Sequence, residues 1–462
     1  MNISEKQGKR KLEMKKIFRL LGGLGIVISS PFFTFSQKGQ IISNPIELNF
    51  NFQELANKLN FDRKLNRLYR NVKVGVLIEE NGDKNNIDYN NLQAIFEFFS
   101  PSSELVIYRF KTKEQWLEGI KHFETVGIEM LIHLYKKERT FLDDLFWKNG
   151  EYIRLGDFLD LWSAKTGIIN FFDGSRPPGN EVNSHFSFFA KTDDRFKTNN
   201  QMLSHTKIFG NGLGIIKSNH FVFPELKYNY QLSPHSSNME FYSAFLLAAL
   251  FSQLSSSFDS YESLKDRNLK IMTALALTAN PSENSNLAFN GTHLNEGFGF
   301  INYTDAHFTI QQQNYLYNKY DGNEYTTSPF ELVKNQKFSA IVFSDKFTER
   351  LIFGEYLPGF SGIFHNFQKN IKLITNASFY GLPEFKVNDF DISIEIFRGG
   401  WHKIIEANST ISPYDKISFK AFEDGQYRIK ISSQKFLPDK QSKYFIAWRR
   451  YPSDFVTKTH WN

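Results

Sequence analysis

Three small polar residues, Ser236-Ser237-Asn238, stand just ahead of a stretch from Phe241 to Leu250 that is apolar on almost every side. Such residues suit the first turn of a helix, where they cap free N–H groups or help those groups stabilise a developing negative charge. By itself Ser237 reads as an N-cap and His235, the nearest imidazole, as a loop histidine. Asp173, Asp193 and Asp194 are of the type that holds a hard cation, or that simply faces water. His133 lies inside an apolar run and reads as a hydrogen-bonded core residue, and Gly291-Thr292-His293 as a loop. No histidine or carboxylate cluster has metal-ligand spacing, and no glycine-rich phosphate loop follows a strand. No cofactor is therefore expected, and structural calcium has no support in the spacing. Cysteine is absent, which excludes disulfides, thiolate metal sites, a cysteine nucleophile and a lipoprotein anchor.

The elements that must position these residues follow from apolar periodicity. The Phe241–Leu250 stretch, with alanines where a neighbour needs room, predicts a helix buried on all faces. Short apolar runs at Val72–Ile78, Leu105–Tyr108, Ile128–His133 and Gly167–Phe171 predict strands. Between them lie a helix from Leu92 to Phe99 and an amphipathic segment, Glu114 to Thr125, with Trp116, Leu117, Ile120 and Phe123 on one face. Strands separated by helices imply parallel crossovers, hence an α/β sheet covered on both faces. From Phe308 the pattern changes to period two at short spacing, as in Asp389–Phe397 and Asp424–Ile431, which predicts a β-sandwich. Pro329 and Pro358 are expected in its loops, with Tyr427, Ile429 and Ile431 facing inward. Residues 37–70 are polar and are expected to be partly helical, from Phe52 to Arg70.

The first 36 residues combine basic positions with an apolar run from Ile17 to Phe35 and read as a secretory signal, the rival being an uncleaved anchor whose span Gly22, Gly23, Gly25 and Pro31 weaken, so a secreted or periplasmic location is expected. They hold seven Lys or Arg against two acids, so the formal charge of +6 falls to 6 − 5 = +1 beyond them. The basic balance is thus a targeting feature, which argues against a nucleic-acid partner and leaves the membrane a transient one, met through the signal segment. The 49 Phe and 20 Tyr can fill cores or line a peptide groove.

Ser236-Ser237-Asn238-Met239, followed by Ala248-Ala249-Leu250, resembles the Gly-Thr-Ser-Met-Ala signature and buried helix of subtilisin-like serine proteases (subtilases). The order of the segments Ser100–Phe110, Glu114–Leu134 and Phe158–Gly174 is also similar to that family's. So are the helix ending in Thr278-Ala279 and the Gly297–Asn302 stretch with Asp305-Ala306. The region after 308 resembles the C-terminal sandwich behind many secreted bacterial proteases. The resemblance implies a doubly wound, mainly parallel subtilisin-like sheet followed by an all-β sandwich. The division it implies is a signal peptide at 1–36, a connector at 37–69, an α/β domain at 70–307 and a sandwich at 308–462.

In the family register the orienting carboxylate falls on Glu79, or on Ile78 if the register slips by one, the catalytic histidine's turn on Asp88-Tyr89-Asn90, and the nucleophile on Asn238. The oxyanion asparagine falls within Asp173-Gly174-Ser175, leaving Ser175 nearest to it and Ser237 as the fallback nucleophile. A carboxylate near pKa 4 is a weak base for an alcohol and an amide is no nucleophile, so the mapped triad is inactive. Three functions stay open: a degenerate subtilase that binds peptide or protein, an active secreted serine endopeptidase whose residues lie elsewhere, and an envelope or adhesion module working through its sandwich.

Overall fold

The computed structural model describes residues 51–62, 65, 70–80, 89–134, 146–148, 151–153, 162–163, 166–173, 187–191, 207–210, 239–257, 263–280, 291–292, 297–311, 315–320, 323–344, 390–408, 414–433 and 443–451. They belong to one compact unit, Leu48–Asn462. Its first sheet is built on β1 (Val72–Glu79), flanked by β2 (Ser103–Phe110) and β3 (Met130–Leu134), both parallel to it. β4 (Phe146–Lys148) and β5 (Glu151–Ile153) form a separate hairpin, and β6 (Ile169–Asp173) continues the sheet parallel to β3. β7 (Ser187–Lys191) is parallel to β6, whereas β8 (Lys207–Gly210) and the short β9 (Gly299–Phe300) close the sheet antiparallel. The strand order is β2-β1-β3-β6-β7-β8-β9. The four expected parallel strands are all present in that pairing.

Alternation along β1 divides two cores. Val72, Val74, Val76 and Ile78 meet α2 (Tyr89–Phe99) and the long helix α4 (Met239–Ser256), while Leu77 joins Trp116, Ile120 and Phe123 of α3 (Lys113–Val126) on the opposite face. Those three residues of α3, spaced by four and three, form the expected apolar face. The helix begins at Thr112, which makes a capping box with Gln115, and ends at Gly127. α3 comes so near the sheet that a Cβ on Gly75 would lie 3.2 Å from Phe123 Cδ1. On the other face α4 is buried from Tyr242 to Leu254, with Phe245 against Phe96 of α2 and Phe251 against Phe171 of β6.

The helical part expected within Phe52–Arg70 is α1 (Phe52–Lys58), which stops where Asn60 takes a left-handed conformation. That turn carries Phe61 back onto Phe99 and Tyr303, and Leu55, Ala56 and Leu59 enter the main core. Residues placed in a connector thus contribute to the α/β core, because their apolar side chains complete its surface.

β10 (Tyr315–Lys319), β13 (Lys337–Ser344), β16 (Tyr414–Lys420) and β18 (Lys443–Arg450) form one antiparallel sheet, in the order β10-β18-β13-β16. The other has the order β11-β17-β14-β15, from β11 (Tyr325–Thr326), β17 (Gly425–Ser432), β14 (Asp391–Phe397) and β15 (Trp401–Ala407), with β12 (Phe330–Leu332) also on β17. Between them lies a core that includes Tyr427, Ile429 and Ile431 as expected. Pro329 falls between β11 and β12, and Pro358 lies outside the described residues.

The sandwich does not stand apart from the first domain. Phe338, Ala340 and Val342 of β13 face its interior, but Ile341 and Phe343, with Tyr414, Phe445 and Ala447, pack into the α/β core against α5 (Leu264–Thr278). One sheet is therefore buried on both faces. Polar ties reinforce the junction: the buried Lys416 ammonium donates to Ala276 O (2.8 Å) and Ala279 O (3.0 Å) at the end of α5, where a cation also complements the helix dipole. Burial and the charge of Lys337 pull this ammonium down to about 7. Arg449 of β18 pairs with Asp305 of α6 (Tyr303–Gln311), whose carboxyl burial pushes up against the opposing pull of Arg449. α6 also spans the boundary expected at 307/308. A fragment of residues 312–462 is accordingly expected to expose the five α5-facing side chains, bind a hydrophobic dye and aggregate, as dye fluorescence and gel filtration would show. Survival as a soluble, cooperatively melting fragment would show that the junction is dispensable.

Candidate functional site at the carboxyl edge of the sheet

Because β2 lies on one side of β1 and β3 on the other, the strand order reverses at β1. In open α/β sheets the crevice beyond the carboxyl ends at such a point is where ligands bind. The last residue of β1 is Glu79, in register with Phe110 and only 4% exposed. Its neighbour Glu80 turns outward, donating its backbone N–H to Phe110 O and facing the exposed Arg109 and Lys111 side chains at 3.5 and 3.4 Å. Exposed pairs of this kind contribute little. Glu79 is a buried acid at this edge.

The direction of α4 places its start at the same edge. Ser252 bonds Ser103 at the beginning of β2, and Ser255 accepts from Arg70, just before β1. The last turns of α4 thus lie at the amino edge, and the helix runs antiparallel to the strands. From Phe251, level with Phe171, the twelve residues back to Met239 rise about 18 Å, whereas Val76 to Glu79 rises about 10 Å. The helix start therefore overshoots the sheet on the side of Glu79.

His133 belongs to a different arrangement. It is fully enclosed in β3, 2.9 Å from Asn170 Oδ1, while Asn170 donates to Ser163 Oγ at 2.6 Å. The ring stacks on Phe172 with centroids 4.3 Å apart. Burial holds its pKa down to about 3, so the imidazole is neutral at physiological pH and serves as the core residue expected from the sequence.

Of the residues singled out for the triad and its surroundings, Glu79 is described at the end of β1, Tyr89 and Asn90 at the start of α2, and Asp173 at the end of β6. Asp88, Ser175, Ser237 and Asn238 lie outside the described residues, as do His235, Asp193, Asp194 and His293. Gly291 and Thr292 form an irregular segment packed against Lys416 of the sandwich. Among the described residues no three imidazole or carboxylate groups lie close enough together to hold a metal ion, and no helix is long and apolar enough to cross a membrane.

Sequence reasoning missed the ionic cluster at the opposite edge. Glu129, just before β3, receives both Arg70 and Arg267, the latter at 2.7 Å. Asn268 bridges Glu129 O and Gly167 O at 2.9 and 2.8 Å. A signal was present in Arg267-Asn268, polar residues at the start of the buried part of α5, and in the charged residue shortly before each of β1 and β3.

The fold is thus an open, mainly parallel α/β sheet with helices on both faces, joined to an antiparallel sandwich. No family model and no curated protein matches the chain. Among solved structures it is similar to the crystal structure of tripeptidyl peptidase 2 (TPP II), with 10% identity and a TM-score of 0.28 over 76% of this chain and 38% of that one. The chain therefore spans well under half the length of that protein, and at such a score the architecture rests on the strand pairing and packing given above.

Proposed function

We propose that this chain is an exported subtilisin-like peptidase homologue that keeps the protease architecture, has lost the triad, and binds a peptide or protein segment without cleaving it. The observation that carries the reading is the burial of Glu79 at the end of β1, on the edge toward which α4 begins. A buried strand-end carboxylate and a helix start are the two fixed points a subtilase triad needs, and the motifs quoted above follow in the family's order. The residues at the other matching positions, Asp88 and Asn238, supply neither an imidazole nor a hydroxyl. Without a base and a nucleophile no acyl-enzyme forms. The missing oxyanion asparagine removes a donor of the kind worth roughly 3 kcal/mol of transition-state stabilisation. What remains at such an edge is a surface fit for binding.

Purified protein treated with a fluorophosphonate probe is expected to stay unlabelled and to leave a mixed peptide library intact, while binding some of its members saturably. Binding weakened by Glu79→Gln, with an unchanged melting temperature, would place the peptide at this edge. Labelling or cleavage that disappears in Ser237→Ala would replace this reading with that of an active endopeptidase.

A further inference from the structure

Three turns meet at one end of the sandwich: 333–336 between β12 and β13, 398–400 between β14 and β15, and 421–424 between β16 and β17. They are tied to one another. Lys334 N donates to Asp424 Oδ1 (2.6 Å), Asn335 N to Ala421 O (2.8 Å) and Arg398 Nε to Glu423 Oε1 (2.5 Å). On or beside each turn stands one large apolar side chain in water: Val333 is 46% exposed, Phe397 48% and Phe422 62%. Among the described residues the one other large apolar side chain this exposed is Ile107, on β2 of the first sheet. Scattered exposed apolar residues are ordinary, but three on adjoining, mutually braced turns form a patch.

The charges around the patch have one sign to spare. Lys334 follows Val333, Lys420 precedes Phe422 by two residues, and Arg450 ends β18 at the same end of the sandwich. None of the three has an acidic partner among the described ion pairs, and all three are exposed. Of the acids of the turns, Glu423 pairs with Arg398 at the surface and the exposed Asp424 accepts from the Lys334 amide. Glu331, on β12, is a further exposed acid near this end.

We propose that this end of the sandwich docks on an anionic lipid surface, with Phe397, Phe422 and Val333 entering the boundary between headgroups and acyl chains and Lys334, Lys420 and Arg450 meeting the headgroups. Apolar residues on separate turn tips suit a planar boundary that accepts shallow insertion, and neighbouring cations add attraction to anionic lipid. A second copy docking on the same patch would bring like charges face to face about a two-fold axis. The inference does not depend on the peptidase reading.

Because the chain has no cysteine, Phe422→Cys takes an environment-sensitive dye at a single site, and Ile107→Cys serves as a remote control. With vesicles of phosphatidylcholine and phosphatidylglycerol, the full chain labelled at 422 is expected to show a blue shift that weakens with added salt, with none at 107. In co-sedimentation, vesicle binding of the unlabelled protein should fall at least about tenfold in Phe397→Ser/Phe422→Ser, at unchanged melting temperature. Vesicle binding without a shift at 422 would locate the contact in another part of the chain and overturn the proposal. Equal shifts at both sites would mean unspecific adsorption, and a concentration-dependent shift at 422 without vesicles would mean self-association; either result also defeats it.

Discussion

Glu129→Ala is expected to lower the unfolding free energy by about 3–5 kcal/mol, among the largest effects of any single substitution in the described structure. The carboxylate lies between two guanidiniums at the amino edge of the sheet, and Arg267 is largely buried. Removing it leaves two cations facing each other with little water to screen them. Three elements loosen together, since Arg70 also holds the carbonyl and hydroxyl of Ser255 at the end of α4, and Arg267 belongs to α5. Urea denaturation should show a lower midpoint, with Glu129→Gln intermediate because an amide still accepts hydrogen bonds. The exposed Glu54–Lys58 pair provides the contrast, where Glu54→Gln should cost no more than about 0.5 kcal/mol. A Glu129→Ala midpoint equal to that of the unmodified protein would show that the cluster is balanced by its desolvation cost.

Gly291→Ala should cost about 3–4 kcal/mol, while Gly127→Ala costs only about 1–2 kcal/mol. Both glycines have left-handed backbones, with φ of 74° and 75°. The difference is space. An added Cβ at Gly127 meets nothing within 4 Å, whereas at Gly291 it would lie 1.6 Å from Lys416 O. That carbonyl belongs to β16, an edge strand of the sandwich sheet among the described residues, and the side chain of the same residue holds the end of α5. The strain therefore reaches the junction between the two halves. Thermal melts of the two variants measure it, and equal losses would mean that the segment at 291 moves aside freely.

Local pattern determined a good part of this protein. The runs at Val72–Ile78, Leu105–Tyr108, Ile128–His133 and Gly167–Phe171 had to be buried strands because continuous apolar side chains need cover on both faces of a sheet. The apolar stretch at Phe241–Leu250 had to be a central helix for the same reason, and alternation alone turned Tyr427, Ile429 and Ile431 inward. The place of Glu79 at a strand end was legible as well, since one residue of an apolar run marks its boundary. What period and propensity do not encode is which surfaces meet. Phe343 and Phe445 have the same alternation as any sandwich residue, and only tertiary packing sets them against α5, so that the sandwich shares a core with the α/β domain. Phe61 looked like part of a connector until the left-handed turn at Asn60 brought it onto Phe99 and Tyr303. Arg70, Glu129 and Arg267 are up to 197 residues apart and form one cluster because the parallel crossovers return every strand start to the same edge. Charges that far apart carry no mutual signal in a sequence, for their attraction exists only once the chain entropy of bringing them together has been overcome by the core they border.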